Sequence, residues 1–298
     1  MTETLTKNAL FKLHLSIVIS CFTSIFGRLI SLNEGVLVWE RLLISFCALY
    51  LLAAWKKKLE KAAPLELLKI LGVGILLGIH WLFFYGSIKY ANVSIGIICF
   101  SSVGLFTAIF EPLINKHGFS KREILYSLIT IAGIFLIFHF DSGFRTGIIL
   151  GTISSAVAAI YSIVNKRVSS RHEHSSFMLV YELLGGLIFI SAILPFYLHF
   201  FPVPSLIPSP TDLLWLLLLS LCCTIGLYLL QIQALKKLSA FTVNLSYNLE
   251  PIYTILLAML IFNEAKEVNF AFYIGLSLIM LSVLLQTRTA IANVENCA

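Results

Sequence analysis

Two stretches of this chain, residues 67–140 and 214–287, read as one apolar module written twice, offset by about 147 residues. Ser87-Ile88-Lys89-Tyr90-Ala91 falls on Ala234-Leu235-Lys236-Lys237-Leu238. Leu105-Phe106-Thr107 falls on Ile252-Tyr253-Thr254, and Tyr126 on Tyr273, each opening an apolar run. A module that cannot bury its own apolar faces must pack against its copy. In a chain this apolar, internal repeats point to a membrane transporter whose site lies where the halves meet.

The solvent for much of the chain must be lipid. Hydrophobic residues make up 59% and charged residues 12%, against about 25% charged in soluble domains. Mean hydropathy is +0.94, too apolar for one water-soluble core of 298 residues. The net charge of +6 therefore reports membrane orientation and does not argue for nucleic acid. Of the six cysteines, Cys21, Cys47, Cys99, Cys222, Cys223 and Cys297, none forms a Cys-x-x-Cys pair. They read as small packing residues, with no metal site, disulfide framework or cofactor implied. Val18-Ile19-Ser20-Cys21 resembles a lipoprotein cleavage box, but the apolar stretch runs on to Ile30, which predicts an uncleaved first helix.

A helical span needs about 20 apolar residues. Ten candidates follow: 10–31, 35–55, 65–87, 93–114, 121–139, 146–167, 176–200, 212–233, 239–262 and 269–286. With the N-terminus inside, the inner loops collect Lys56, Lys57, Lys58 and Lys61, then Lys116, Lys121 and Arg122, then Lys166, Arg167 and Arg171, then Lys236 and Lys237. The outer loops hold Arg28, Lys89, Arg145 and Lys266. That asymmetry predicts both termini in the cytoplasm. Five spans per half make the halves insert oppositely, as inverted repeats over 10–140 and 146–287. Asp141-Ser142-Gly143-Phe144-Arg145 reads as the hinge between them. The fold class expected is an all-α integral membrane protein of ten transmembrane helices.

Ten spans in two halves resemble the EamA-like permeases of the drug/metabolite transporter superfamily. Arg41-Leu42-Leu43 is similar to the family's Arg-Phe/Leu-Leu in span 2, and Leu249-Glu250-Pro251 to its Leu-Glu-Pro in span 9. Asn263-Glu264 sits where the family has Gly-Glu, and the run from Gly275 to Leu285 resembles its closing helix. The first half departs from the pattern. Gly104 lies opposite Pro251, Val103 opposite Glu250 and His117 opposite Glu264, which predicts a different bend and gate there. The resemblance implies a bacterial inner-membrane permease exporting amino acids or related metabolites. It also implies a central cavity lined by spans 1, 3, 4, 6, 8 and 9, with spans 5 and 10 peripheral.

Ionisable groups inside spans are the first functional candidates, because a charge there costs about 2.5–3.5 kcal/mol. Glu40 and Arg41 point about 100° apart on a helix, so they cannot face one narrow partner. Arg41 needs a carboxylate or carbonyls, with Glu182 and Glu250 available for a packing pair; direct substrate contact is the other reading. His80, Trp81, Phe84 and Tyr85 form an aromatic face with one titratable group, able to stack on a substrate or carry a proton. Tyr228, Gln231, Tyr247 and Asn248 supply polar groups on spans 8 and 9, Ser102 on span 4, Tyr161 on span 6, and His14 near the entrance. Pro251 is expected to kink span 9. Glu111 reads as snorkelling to water, Gly74 and Gly78 as a small-residue packing pair, and Arg171-His172-Glu173-His174 as a solvated loop.

The partners implied are the lipid bilayer and a small-molecule substrate. The mechanism expected is alternating access in a secondary transporter; proton dependence linked to His80 or Glu250 would mark coupled transport, and flux without it uniport. A passive uniporter and a nucleotide-sugar carrier are the alternatives, the latter weakened because Arg41 alone is available mid-membrane for phosphate. No Gly-x-x-x-x-Gly-Lys-Ser/Thr phosphate loop argues for a pump. The two aspartates, Asp141 and Asp212, both lie at span ends, which argues against a Mg²⁺-dependent membrane enzyme.

Overall fold

The computed structural model describes residues 2–57, 63–116, 118, 121–140, 142–169, 175–227, 229–230, 247 and 249–295. Among them there are helices and turns and no strand. The helices are α1 (Thr2–Leu29), α2 (Glu34–Trp55), α3 (Pro64–Tyr90), α4 (Val93–Phe100), α5 (Val103–Asn115), α6 (Lys121–Phe140), α7 (Arg145–Ser169), α8 (Ser175–Phe200), α9 (Pro210–Leu217), α10 (Glu250–Phe262) and α11 (Phe270–Glu295). Among the described residues six apolar segments are long enough to cross a membrane, and four shorter ones overlap expected spans 5, 8, 9 and 10.

Local chemistry sets the helix starts. Asn33 accepts from the Val36 amide, Asn92 from Ile95 and Ser209 from Asp212, each relieving an unsatisfied N–H of the first turn. Pro64 and Pro210 occupy first turns, where the missing donor costs nothing. A three-residue turn, Ser142–Phe144, joins α6 to α7. Asp141, at the start of the expected hinge, lies outside the described residues.

Span 4 is not one continuous helix: it breaks between α4 and α5 at Ser101-Ser102. The serine hydroxyls donate back to the carbonyls of Ile97 and Cys99, and such bonds compete with the helical ladder. Span 9 starts α10 at the matching register. Both α5 and α10 are 13 residues long. Each ends on a left-handed residue, Lys116 (φ 56°) and Asn263 (φ 62°). The first half therefore does not bend elsewhere for want of a proline; a serine pair supplies the break that Pro251 accompanies in the second. Pro251 itself sits in the first turn of α10 and does not kink a continuous helix.

Packing centres on α3, which runs antiparallel along α7 and also lies against α8. The backbones touch where side chains are missing: a Cβ at Gly74 would strike the Glu182 carbonyl, and one at Gly185 the Leu71 backbone. Gly78 faces Gly186. The Gly74/Gly78 pair thus packs as its spacing predicts. Farther along, Gly147 lies against the Ser87 carbonyl, and the Ser87 hydroxyl donates to the Gly147 carbonyl at 2.7 Å. Helices α6 and α11 pair through Gly133 and Gly275, with the Thr130 hydroxyl 2.8 Å from that of Ser282. Their outer faces carry Phe135 (64% exposed) and Leu284 (56%), and α10 carries Leu260 (82%). Large apolar side chains this exposed need lipid, not water, around them.

Gly74→Leu is expected to destabilise the α3–α8 crossing by at least about 1–3 kcal/mol, because backbone blocks the added carbons. Gly72→Ala, where a Cβ meets nothing within 4 Å, is expected to leave the melting temperature at the wild-type value or slightly above it. Thermal melting of the two variants in detergent checks the contrast.

Candidate substrate-binding cavity

A cavity of about 180 Å³ lies at the centre of the bundle. Helix α3 contributes His80, Trp81 and Phe84; α2 contributes Arg41. Ser20, Thr23 and Ser24 come from α1, Phe100 from the end of α4, and Cys223 and Leu227 from the region after α9. Tyr247 and Glu250, around the start of α10, complete the wall.

Arg41 is 3% exposed, and its described partners are uncharged. Nη1 donates to the Tyr85 hydroxyl at 2.6 Å, and Nε and Nη2 donate to Thr224 Oγ1 at 3.1 and 3.0 Å. The guanidinium carbon lies 3.7 Å from the Trp81 ring centroid, close enough for a cation–π contact. Thr224 can accept twice because its own hydroxyl donates to the Leu219 carbonyl, five residues back. Thr224 lies in a π-helical segment, Leu218–Gly226, continuing α9. Wide turns of this kind re-aim side chains at functional positions. A guanidinium has five N–H donors. The described residues take three, leaving one on Nη1 and one on Nη2 for the cavity.

The His80 tautomer follows from its partners. The Ser154 hydroxyl donates to the His80 carbonyl at 3.0 Å, so toward the ring it accepts. His80 Nδ1 lies 2.8 Å from that hydroxyl oxygen and 3.2 Å from the Ser154 carbonyl, both acceptors. Nδ1 therefore carries the hydrogen, and Nε2 is the nitrogen that no described residue engages. The ring stacks on Phe100, with centroids 5.3 Å apart.

The other expected site residues distribute as follows. Tyr85 is fully buried; its ring fills the space over Gly27, where no Cβ would fit, and it holds Arg41 from behind the cavity. Tyr161 donates to Glu182 at 2.9 Å, and Asn165 donates to both. That cluster lies between α7 and α8, so Glu182 is not the partner of Arg41. Ser102 is buried at the α4–α5 break. Glu40 is half-buried and does not line the cavity, and His14 is exposed. The Tyr247 hydroxyl donates to Ser16. Tyr228, Gln231 and Asn248 lie outside the described residues, as do His117, Lys236, Lys237 and the 171–174 loop.

Thr224, Ser154 and Phe100 were not among the expected site residues. Buried hydroxyls in an apolar run were the available signal for the first two. Span 6 reaches the cavity only indirectly, through Ser154, while span 2 enters it through Arg41.

Thr224→Val removes the one oxygen that accepts twice from a buried cation and is expected to destabilise the protein by about 1.5–3 kcal/mol. Thr224→Ser, which keeps the oxygen, is expected to melt close to wild type; paired melting curves check this.

Known proteins are similar to this chain in sequence and in fold. An uncharacterised transporter of Archaeoglobus fulgidus (strain ATCC 49558 / DSM 4304 / JCM 9628 / NBRC 100126 / VC-16) is 24% identical over 242 residues, covering 78% of this chain and 80% of its own. A protein of known crystal structure aligns over 95% of this chain and 98% of its own, with a TM-score of 0.60 and 16% identity, a likeness of fold. The EamA-like transporter family matches twice, over residues 8–139 and 145–288. This chain, a multi-pass membrane protein, belongs to the EamA-like transporter family.

Proposed function

We propose that this transporter carries a small zwitterionic metabolite of the amino-acid class by alternating access, with the central cavity as its site. The observation that carries this reading is the placing of Arg41 and Glu250 on the walls of one cavity. Arg41 offers two N–H groups to a carboxylate, the arrangement that makes charge-assisted bonds strong. Glu250 offers an acceptor to an ammonium group. Trp81, Phe84 and Phe100 cover the apolar remainder of the ligand.

Size supports the same class. A cavity of about 180 Å³ equals the space of roughly six waters at about 30 Å³ each. It falls below the 300–1,000 Å³ of typical drug-sized sites. A nucleotide sugar would not fit and would find one guanidinium where its phosphates need several basic groups. Export across a bacterial inner membrane, with cytoplasmic termini, and repeats at 10–140 and 146–287 belong to this proposal. So does proton exchange at Glu250 or at Nε2 of His80; passive uniport is the competing outcome.

The test is release of a labelled amino-acid mixture from proteoliposomes, with and without a pH gradient. Wild type is expected to release a subset selectively. Arg41→Lys keeps the charge but loses the planar fork, and Glu250→Gln loses the anionic pole; each is expected to slow release by at least about tenfold. His80→Ala is expected to change the gradient dependence. Release at wild-type rates by all three variants would overturn the site assignment. Gradient-independent flux in wild type would select uniport.

A further inference from the structure

A second cavity, of about 400 Å³, opens between α3 and α7 at the end of the bundle where α3 begins and α7 finishes. Its polarity is graded. Lys69 and Arg167 stand at the mouth with Glu66, and Gly72, Leu76 and Val164 line the inner part. From Glu66 to Leu76 the groove follows about 15 Å of helix at 1.5 Å per residue, half the roughly 30 Å hydrocarbon core. Lys69 is exposed, and Arg167, also exposed, donates one N–H to the Ile114 carbonyl at 2.8 Å. Gly72 leaves the groove open, since a Cβ there would meet no atom within 4 Å.

We infer that this groove is a binding site for an acidic phospholipid of one leaflet, its phosphate between Lys69 and Arg167 and an acyl chain along Gly72, Leu76 and Val164. Three observations select this occupant. The basic mouth complements an anionic headgroup, as basic pockets between membrane helices do. The wall turns apolar toward the membrane interior, which a soluble anion would not use. From Lys69 to Leu76 the groove runs about 10 Å into one leaflet. The excess of Lys and Arg in the loops at this end predicts the cytoplasmic leaflet, which carries the acidic lipids. The assignment is independent of the cargo of the central cavity. A lipid here also bridges two helices that pack together along most of their length, so its binding stabilises the folded chain.

The test uses the full chain, stripped of lipid in neutral detergent. Phosphatidylglycerol and phosphatidylcholine with identical chains are titrated separately, and glycerol 3-phosphate serves as a headgroup without chains. Native mass spectrometry counts bound molecules, and the melting temperature reports stabilisation. Wild type is expected to retain phosphatidylglycerol in preference to phosphatidylcholine and to melt higher with it. Lys69→Glu is expected to raise the half-saturating phosphatidylglycerol concentration by about tenfold or more while leaving phosphatidylcholine unchanged. Gly72→Leu is expected to fill the groove and abolish the stabilisation while melting like wild type without lipid. Equal retention of the two lipids by wild type, or wild-type phosphatidylglycerol binding by Lys69→Glu, overturns the assignment. Stabilisation by glycerol 3-phosphate equal to that by phosphatidylglycerol also overturns it, in favour of a free-anion site. Lys69→Glu, a change on an exposed position, decides the question should Gly72→Leu fail to fold.

Discussion

One charge, that of Arg41, organises the centre of this protein. An arginine at mid-membrane costs several kcal/mol unless its donors are engaged, and each engaging group here depends on another element. Tyr85 reaches Arg41 only because Gly27 lets α1 lie against its ring. Thr224 reaches it from a π-helical turn, and its own hydroxyl hydrogen is directed to the Leu219 carbonyl. Trp81 lies beneath the guanidinium, one residue from His80. The satisfied cation thus fixes α1, α2, α3 and the segment after α9 relative to one another. It also presents its remaining N–H groups to the cavity without needing to move.

The helix ends follow a related logic. Glu264, just past α10, is 1% exposed and accepts from the amides of Val93 and Ser94 at 2.8 Å each. A carboxylate at a helix N-terminus meets both the unpaired N–H groups and the helix dipole. The same end carries Asp212 on the Ser31 amide and hydroxyl, and the Tyr197 hydroxyl on Glu34. Each of these ties joins one half of the chain to the other, at the end opposite Lys69. A rocking motion of the proposed kind would have to open this end by exchanging charge-assisted bonds for water, so the closed arrangement is held by polar groups and the lipid-facing surface can stay apolar.

Much of this was legible in the sequence, and each failure has a physical cause. Ionisable and aromatic residues inside apolar runs pointed to Arg41, His80, Trp81, Phe84, Tyr247 and Glu250, all of which line the cavity. Helical periodicity gives a residue's face relative to its own axis, not the neighbour that face meets. Tyr85 therefore read as cavity wall but packs behind Arg41, and Tyr161 turns to Glu182. Thr224 was hidden further, because a π turn shifts the register of every later side chain. The break in span 4 was missed because proline was taken as the signal, whereas two serines bonding backward achieve it at the same register. The glycines were easier to read: small residues in an apolar helix imply a close backbone, and Gly74 and Gly78 meet one.

The two poles of the cavity also bear on how a carrier can be selective without binding too tightly. Arg41 has already given three of its donors to protein, so a ligand carboxylate gains only what remains. On the zwitterion reading, affinity then depends on the second contact at Glu250. A ligand with a carboxylate alone would bring a second anion beside Glu250 and offer it no cationic partner. Leaving a charged group unpaired costs more than a matched bond gains. Discrimination therefore comes from the mismatch penalty rather than from a strong hold on the correct ligand, which suits a site that must release its cargo in every cycle.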